Sequence, residues 1–132
     1  MLEALSSELR SIYGDDGTER FQDPCHFLLA CSRGKTLGCA ALVPFSSQTL
    51  EVKRMYVTPE ARGQGVGRLL LAGLESWARQ HGYHRLILET GDLRPEAAGL
   101  YRAAGFQPIE PYGPFVGNPH SLCFEKTFRP PD

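Results

Sequence analysis

The stretch "RGQGVGR", residues 62–68, sets Gly63, Gly65 and Gly67 at alternate positions between Arg62 and Arg68. It follows a strand-like segment, "LEVKRMYV", and opens a helix-like one, "VGRLLLAGLESWARQHG". Bare backbone flanked by positive charge, where a strand gives way to a helix, suits an anion and above all a phosphate. The N–H groups of a helix start are unpaired and carry the positive end of the helix dipole. Glycine lets that backbone touch a phosphate with no Cβ in the way.

Three phosphate-binding patterns are in competition. A Walker A loop has the form GxxxxGK[ST], and no lysine stands in or near this segment. A Rossmann fingerprint has the form GxGxxG, but counted from Gly63 the third glycine falls at Gly67, one position early. Glu89, closing the next strand, imitates the ribose-binding acid of that fold. One strand-helix-strand unit is nevertheless too little chain for its two mononucleotide halves. The third pattern, RxxGxG, is met by Arg62, Gly65 and Gly67.

The elements that must position this loop can be read from periodicity. Leu2, Leu5, Leu9, Ile12 and Tyr13 fall on one face of an opening helix that Gly14 would stop. "DDGTERFQDP" is polar and turn-rich. "CHFLLACSRG" and "KTLGCAALVPF" predict an antiparallel hairpin turning at Arg33-Gly34. A third strand, 49–57, alternates out of step: Leu50 and Val52 are apolar on even positions, Met55 and Val57 on odd ones. That slip predicts a β-bulge near Lys53-Arg54. Val66, Leu70, Leu74, Trp77, Ala78 and His81 follow helical spacing up to Gly82. "HRLILETG" has the continuous apolar run of a strand buried on both faces. A second helix starts at Arg94-Pro95 and ends at Gly105, with Ala97, Leu100, Tyr101 and Ala104 on its inner face. "FQPI" and "SLCFEKTF" predict two more strands around the loop "EPYGPFVGNPH". The expected whole is one α/β domain, residues 1–132, with a mixed sheet.

Composition narrows the partners. With 14 basic and 15 acidic residues the net charge is −1, so no broad footprint for nucleic acid or an anionic membrane is expected. No apolar run approaches the roughly 20 residues of a membrane span. "MLEALSSELR" lacks the features of a secretory signal, so the expected compartment is the cytoplasm. Cys25, Cys31, Cys39 and Cys123 form no CxxC pair, and the four histidines show no HxxxH spacing. No metal is expected.

The RxxGxG loop resembles that of the GCN5-related N-acetyltransferases, the GNAT superfamily. "RMYVTPEARGQGVGRLLL" is similar to the superfamily's acetyl-CoA loop and helix, and "LETGDLRPEAAGLYRAAGF" to its next strand and helix. "SLCFEKTF" resembles the closing strand of many small bacterial members, so the likeness covers most of residues 35–128. It implies a GNAT fold: a mixed, mostly antiparallel sheet that splays at the acetyl-CoA site and is flanked by helices. It also implies that Arg62, Gly63, Gln64, Gly65, Val66, Gly67 and Arg68 wrap the CoA pyrophosphate. Backbone around Met55, Tyr56 and Val57 would hold the pantetheine arm in the splay. Tyr101 matches the family's general acid beside the sulfur, and Glu51 lies on the strand where some members carry a general base. Glu89, at the mouth of the splay, is a further candidate carboxylate. Tyr112 and Phe115 would wall a small acceptor.

The activity so implied is transfer of acetyl from acetyl-CoA to a primary amine of a small molecule or peptide, by direct attack in a ternary complex. The rival is a non-catalytic acyl-CoA-binding sensor or partner domain. One departure from the family is expected: its usual first strand has no counterpart before "MLEALSSELR". A sheet lacking that strand has an edge to cover, and a homodimer would cover it.

Overall fold

The computed structural model describes residues 3–5 (backbone alone), 24–91 and 95–129. Strands β1 (Glu3–Leu5), β2 (His26–Ser32), β3 (Lys35–Ser46), β4 (Thr49–Val57), β5 (Arg85–Gly91), β6 (Gln107–Ile109) and β7 (Ser121–Thr127) form one sheet in the order β1-β2-β3-β4-β5-β7-β6. Helix α1 (Val66–Gln80) connects β4 to β5, and α2 (Pro95–Ala103) connects β5 to β6. Neighbours pair antiparallel except β4 with β5, which run parallel. The β2–β3 hairpin turns at Arg33 and Gly34, both at positive φ (54° and 77°). That combination twists the turn the way the strands twist.

The expectation of a missing first strand is corrected here. Glu3, Ala4 and Leu5 pair with Cys31, Ala30 and Leu29 along the free edge of β2. The helical spacing from Leu2 misled because a segment this short fits either period; the unpaired N–H and C=O groups of β2 decide it. This pairing also removes the ground on which a second subunit was expected to cover that edge. The rest of the predicted opening helix lies outside the described residues.

Alternation places Leu28, Ala30, Ala40, Leu42, Leu50 and Val52 on the sheet face that meets α1, whose Val66, Leu70, Leu71, Leu74 and Ala78 are buried against it. Each fully buried leucine contributes about 2 kcal/mol. Phe27, Leu29, Ala41 and Ile87 are buried as well, without belonging to that cluster. Gly38 sits where β3 passes under α1: an added Cβ would lie 2.7 Å from the Tyr56 carbonyl oxygen and 3.1 Å from Leu70 Cδ1. Because the nearer atom is backbone, Gly38→Ala is expected to lower stability by about 1–3 kcal/mol, read as a drop in thermal midpoint.

The predicted bulge is present. Cys39 pairs with Tyr56 and Ala41 with Lys53, so β4 spends one more residue than β3 over the same step. The extra residue is accommodated with Arg54 at φ 57°, and Cys39 Sγ lies 3.4 Å from the Arg54 carbonyl it donates to. Beyond the bulge, the side chains of β4 change faces.

At the far end of α1, His26 and His81 both stack on Trp77, with centroids 4.6 and 3.9 Å from it. Burial, and then the charge of His81, hold His26 below the ordinary imidazole value of 6.5. The unfolded chain therefore binds the extra proton first as pH falls, and stability should decline below about pH 6.5. Thermal melts at pH 7.5 and 5.5 check this; His26→Gln should flatten part of the difference.

Candidate functional site

The glycine loop is reached through a 3-10 turn, Pro59–Ala61, after which Gly65 caps α1 in the left-handed region (φ 85°). Among the described residues no side-chain hydrogen bond caps this helix start, and its first turn carries no acid. Leu69 N–H donates to the Gly65 carbonyl at 3.0 Å as the first helical bond, so the N–H groups of Val66, Gly67 and Arg68 precede the ladder. The result is a helix N-terminus with no side-chain cap, with Arg68 in its first turn and Arg62 beside it. Arg62 Nε donates to the Val57 carbonyl at 3.0 Å, and its guanidinium lies 5.7 Å from the Tyr56 ring centroid. That tie fixes the loop to the end of β4.

The three glycines act for different reasons. Gly63 and Gly65 adopt positive φ, and a Cβ on either would project into open space above the loop. At Gly67 the constraint is contact between helices: a Cβ there would lie 2.8 Å from Leu100 Cδ2 of α2. A cleft of about 530 Å³ opens over this loop, bounded by Met55, Tyr56 and Val57 on one side and Ala97, Leu100 and Tyr101 on the other.

The second feature is a splay in the sheet. β4 and β5 pair only at Thr49–Arg85, Leu50–Leu86 and Glu51–Ile87; past these positions the strands separate. The bulge at Arg54 lies within β4, beyond the last of these pairs, while β5 stays paired with β7 along its full length. A second cleft, about 410 Å³, fills the gap between Glu51 to Tyr56 on β4 and Leu88 to Thr90 on β5. Tyr101 borders both clefts. It is held by Phe106 and Phe124, whose ring centroids stand 6.0 and 5.9 Å away.

Polar groups converge at the β5 end of the splay. Glu51, 9% exposed, accepts a hydrogen bond from Tyr112 Oη at 2.7 Å and an ion pair from Lys53 Nζ at 3.3 Å. Both fall on Oε2. Oε1 takes no hydrogen bond among the described residues, none of whose buried side-chain polar atoms lacks a partner, so water in the cleft reaches it. Lys53 Nζ also lies 5.4 Å from the Phe115 centroid, and Phe115 and Phe45 each meet the Tyr112 ring edge-on at 5.5 Å. On β5, Glu89 accepts from Ser121 Oγ at 2.8 Å. Burial first, then the bond to Glu51 and the charges around it, push the Tyr112 phenol far above its ordinary value. The Cys123 thiol is raised too, by burial and by Glu89 and Glu51, against a lowering backbone hydrogen bond with Tyr112. Both groups stay protonated at neutral pH, so Tyr112 is a donor to Glu51.

The structure thus brings Met55, Tyr56, Val57, Arg62, Gly63, Gly65, Val66, Gly67 and Arg68 to one cleft. Gln64 stands apart: its amide turns back to the Glu60 carbonyl at 3.1 Å. Glu51, Glu89 and Tyr101 border the other cleft, and Tyr112 and Phe115 are joined to it through Glu51 and Lys53. Sequence reasoning treated Lys53 only as part of a bulge, and passed over Ser121 as a site residue. The signal for Lys53 was its place two residues from Glu51, on the same strand face. Nothing local marks Ser121. Among the described residues no helix is long and apolar enough to cross a membrane, and no cluster of His, Cys, Asp and Glu could hold a metal.

The model of the Acetyltransferase (GNAT) family matches residues 1–106. An Azospirillum brasilense protein named IAA acetyltransferase is 43% identical over 101 residues, which are 76% of this chain and 66% of that protein. Across four curated relatives from Azospirillum, fission yeast and human, the chain spans 38% to 66% of their length. A solved acyl-CoA N-acyltransferase structure from Klebsiella pneumoniae superposes with a TM-score of 0.82 at 30% identity, covering 96% of this chain and 97% of that one. A Bacillus subtilis acetyltransferase solved in complex with CoA superposes with a TM-score of 0.76, covering 97% and 99%. At 14% identity, that likeness is one of fold alone.

Proposed function

The chain belongs to the GNAT acetyltransferase family, and on that premise we propose that it transfers an acetyl group from acetyl-CoA to a primary amine of a small molecule or peptide. The observation that carries this reading is the meeting of two clefts at Tyr101: one over an uncapped helix start, one between splayed strands. The fit to acetyl-CoA is supported by the loop itself. Its helix N–H groups precede the hydrogen-bond ladder, its first turn has no carboxylate, and Gly63 and Gly65 leave open the space a Cβ would fill. Arg62 and Arg68 would balance the pyrophosphate charge. Backbone of Met55, Tyr56 and Val57, past the last β4–β5 pair, would hold the pantetheine arm as a neighbouring strand would.

Acetyl-CoA supplies an activated acyl carbon and a thiolate that can leave. Glu51 takes a proton from the acceptor ammonium through the Oε1 that faces water, while Tyr112 and Lys53 hold Oε2 in place. As the amine nitrogen forms its bond to the acyl carbon and the carbon–sulfur bond breaks, Tyr101 gives its phenolic proton to the sulfur; the second proton leaves the nitrogen for solvent, from which the Tyr101 phenolate is reprotonated. A backbone N–H near the bulge is suited to the developing oxyanion, a contribution of about 3 kcal/mol for one good donor. No acyl-enzyme is required, and buried Cys123 keeps its proton.

The test is CoA release from acetyl-CoA across a panel of amino acids, polyamines, aminoglycosides and lysine peptides, with the acetylated product identified by chromatography. Turnover with an amine is the expected result. The rival, a sensor domain that binds acyl-CoA without reaction, would bind acetyl-CoA and return it unchanged with every amine.

A further inference from the structure

The acceptor end of the splay is not uniformly charged. Glu51 lies deep, its side chain 12% exposed, while Lys53, two residues along the same face of β4, is 41% exposed. Glu89 borders the same cleft from β5, held by Ser121. Negative charge therefore lines the interior, while the cations that border the same cleft, Lys53 and the neighbouring Arg54, follow Glu51 along β4. Lys53 has three N–H donors and meets one carboxylate oxygen, at 3.3 Å, with Phe115 beside it. The Glu51 oxygen that meets neither Lys53 nor Tyr112 is the one that water reaches.

We infer that the acceptor is a zwitterion, an α-amino acid or a molecule with the same adjacent ammonium and carboxylate, and that Lys53 selects it by pairing with the carboxylate. This rests on the acetyltransferase reading above. An ammonium drawn toward Glu51 and Glu89 leaves the carboxyl carbon, two bonds away, on the side of Lys53, so the two charges of the ligand meet those of Glu51 and Lys53 in opposite sense. The burial order sets the direction: amine inward, where Tyr101 and the splay lie, and carboxylate outward. A polyamine would instead bring its second cation against Lys53, a like-charge encounter that works against binding. An amino acid amide would keep the inner pair and lose the outer one.

The experiment compares kcat/KM for matched sets of acceptors: free amino acids from alanine to phenylalanine, their primary amides, the corresponding amines lacking the carboxyl carbon, and spermidine. The free acid is expected to exceed its amide and its amine about tenfold, the effect of one charge-assisted contact at a partly exposed site. In Lys53→Gln the acid-to-amide ratio should collapse to about one through KM, and Lys53→Arg should restore most of it. A merely structural lysine would change all acceptors alike and leave the ratio where it was. Amides or amines as good as the acids, or a preference for spermidine, would overturn the inference while leaving the acetyltransferase reading intact. Folded protein that binds acetyl-CoA yet acetylates none of the amines, the wider panel included, would remove both.

Discussion

Tyr101→Phe should lower kcat about a hundredfold, the range of a general acid, while acetyl-CoA affinity stays close to that of the unaltered protein. Tyr101 is 7% exposed and lies at the junction of the two clefts, held by Phe106 and Phe124. Phenylalanine keeps the ring in that aromatic cluster and removes only the proton donor. Steady-state CoA release, with a thermal melt as the folding control, separates chemistry from stability. Unchanged turnover at matched stability would strip Tyr101 of its proposed role and leave it a core residue. A pH profile sharpens the test: the limb set by the acid should vanish in the variant.

Arg62→Glu should weaken acetyl-CoA binding about a hundredfold, roughly 3 kcal/mol, because it places a carboxylate where the pyrophosphate is proposed to lie. Calorimetry with acetyl-CoA reads it directly. Arg62 also bonds the Val57 carbonyl and faces the Tyr56 ring, so the variant loosens the loop as well as reversing its charge. Arg68→Glu serves as the companion, since Arg68 is exposed in the first turn of α1 and reverses the same field without that tie. A loss in both variants that shrinks with added salt marks electrostatics. Equal affinity in both would refute the placing of phosphate at this helix start.

The two predictions rest on different kinds of information. The conformation of the loop around Arg62 could be read because what sets it is local: glycine spacing, the strand before it and the helix after it are contiguous in the chain. The bulge was legible for the same reason, as a slip from Leu50 and Val52 to Met55 and Val57, and Arg54 at positive φ accounts for it. The acceptor end was not legible in this way. Tyr112 reaches Glu51 across 61 positions of sequence, and Ser121 reaches Glu89 across 32. The register of β7 on β5, with Glu89 opposite Cys123, and the course of the loop before β7 bring these groups together.

What the amino-acid order determined by itself was the succession of elements from β2 onward, the approximate ends of both helices, the glycine loop between β4 and α1 and the break in β4. Each of these follows from backbone preferences and apolar period within a few residues. Tertiary structure alone decided that Glu3–Leu5 are extended, because the free edge of β2 outweighs a helical spacing too short to be distinctive. It also decided that β4 and β5 part after Glu51–Ile87. Above all it set Lys53 against Glu51 and Phe115, since pairwise charge and ring contacts form only when distant strands and loops have been brought within a few ångströms.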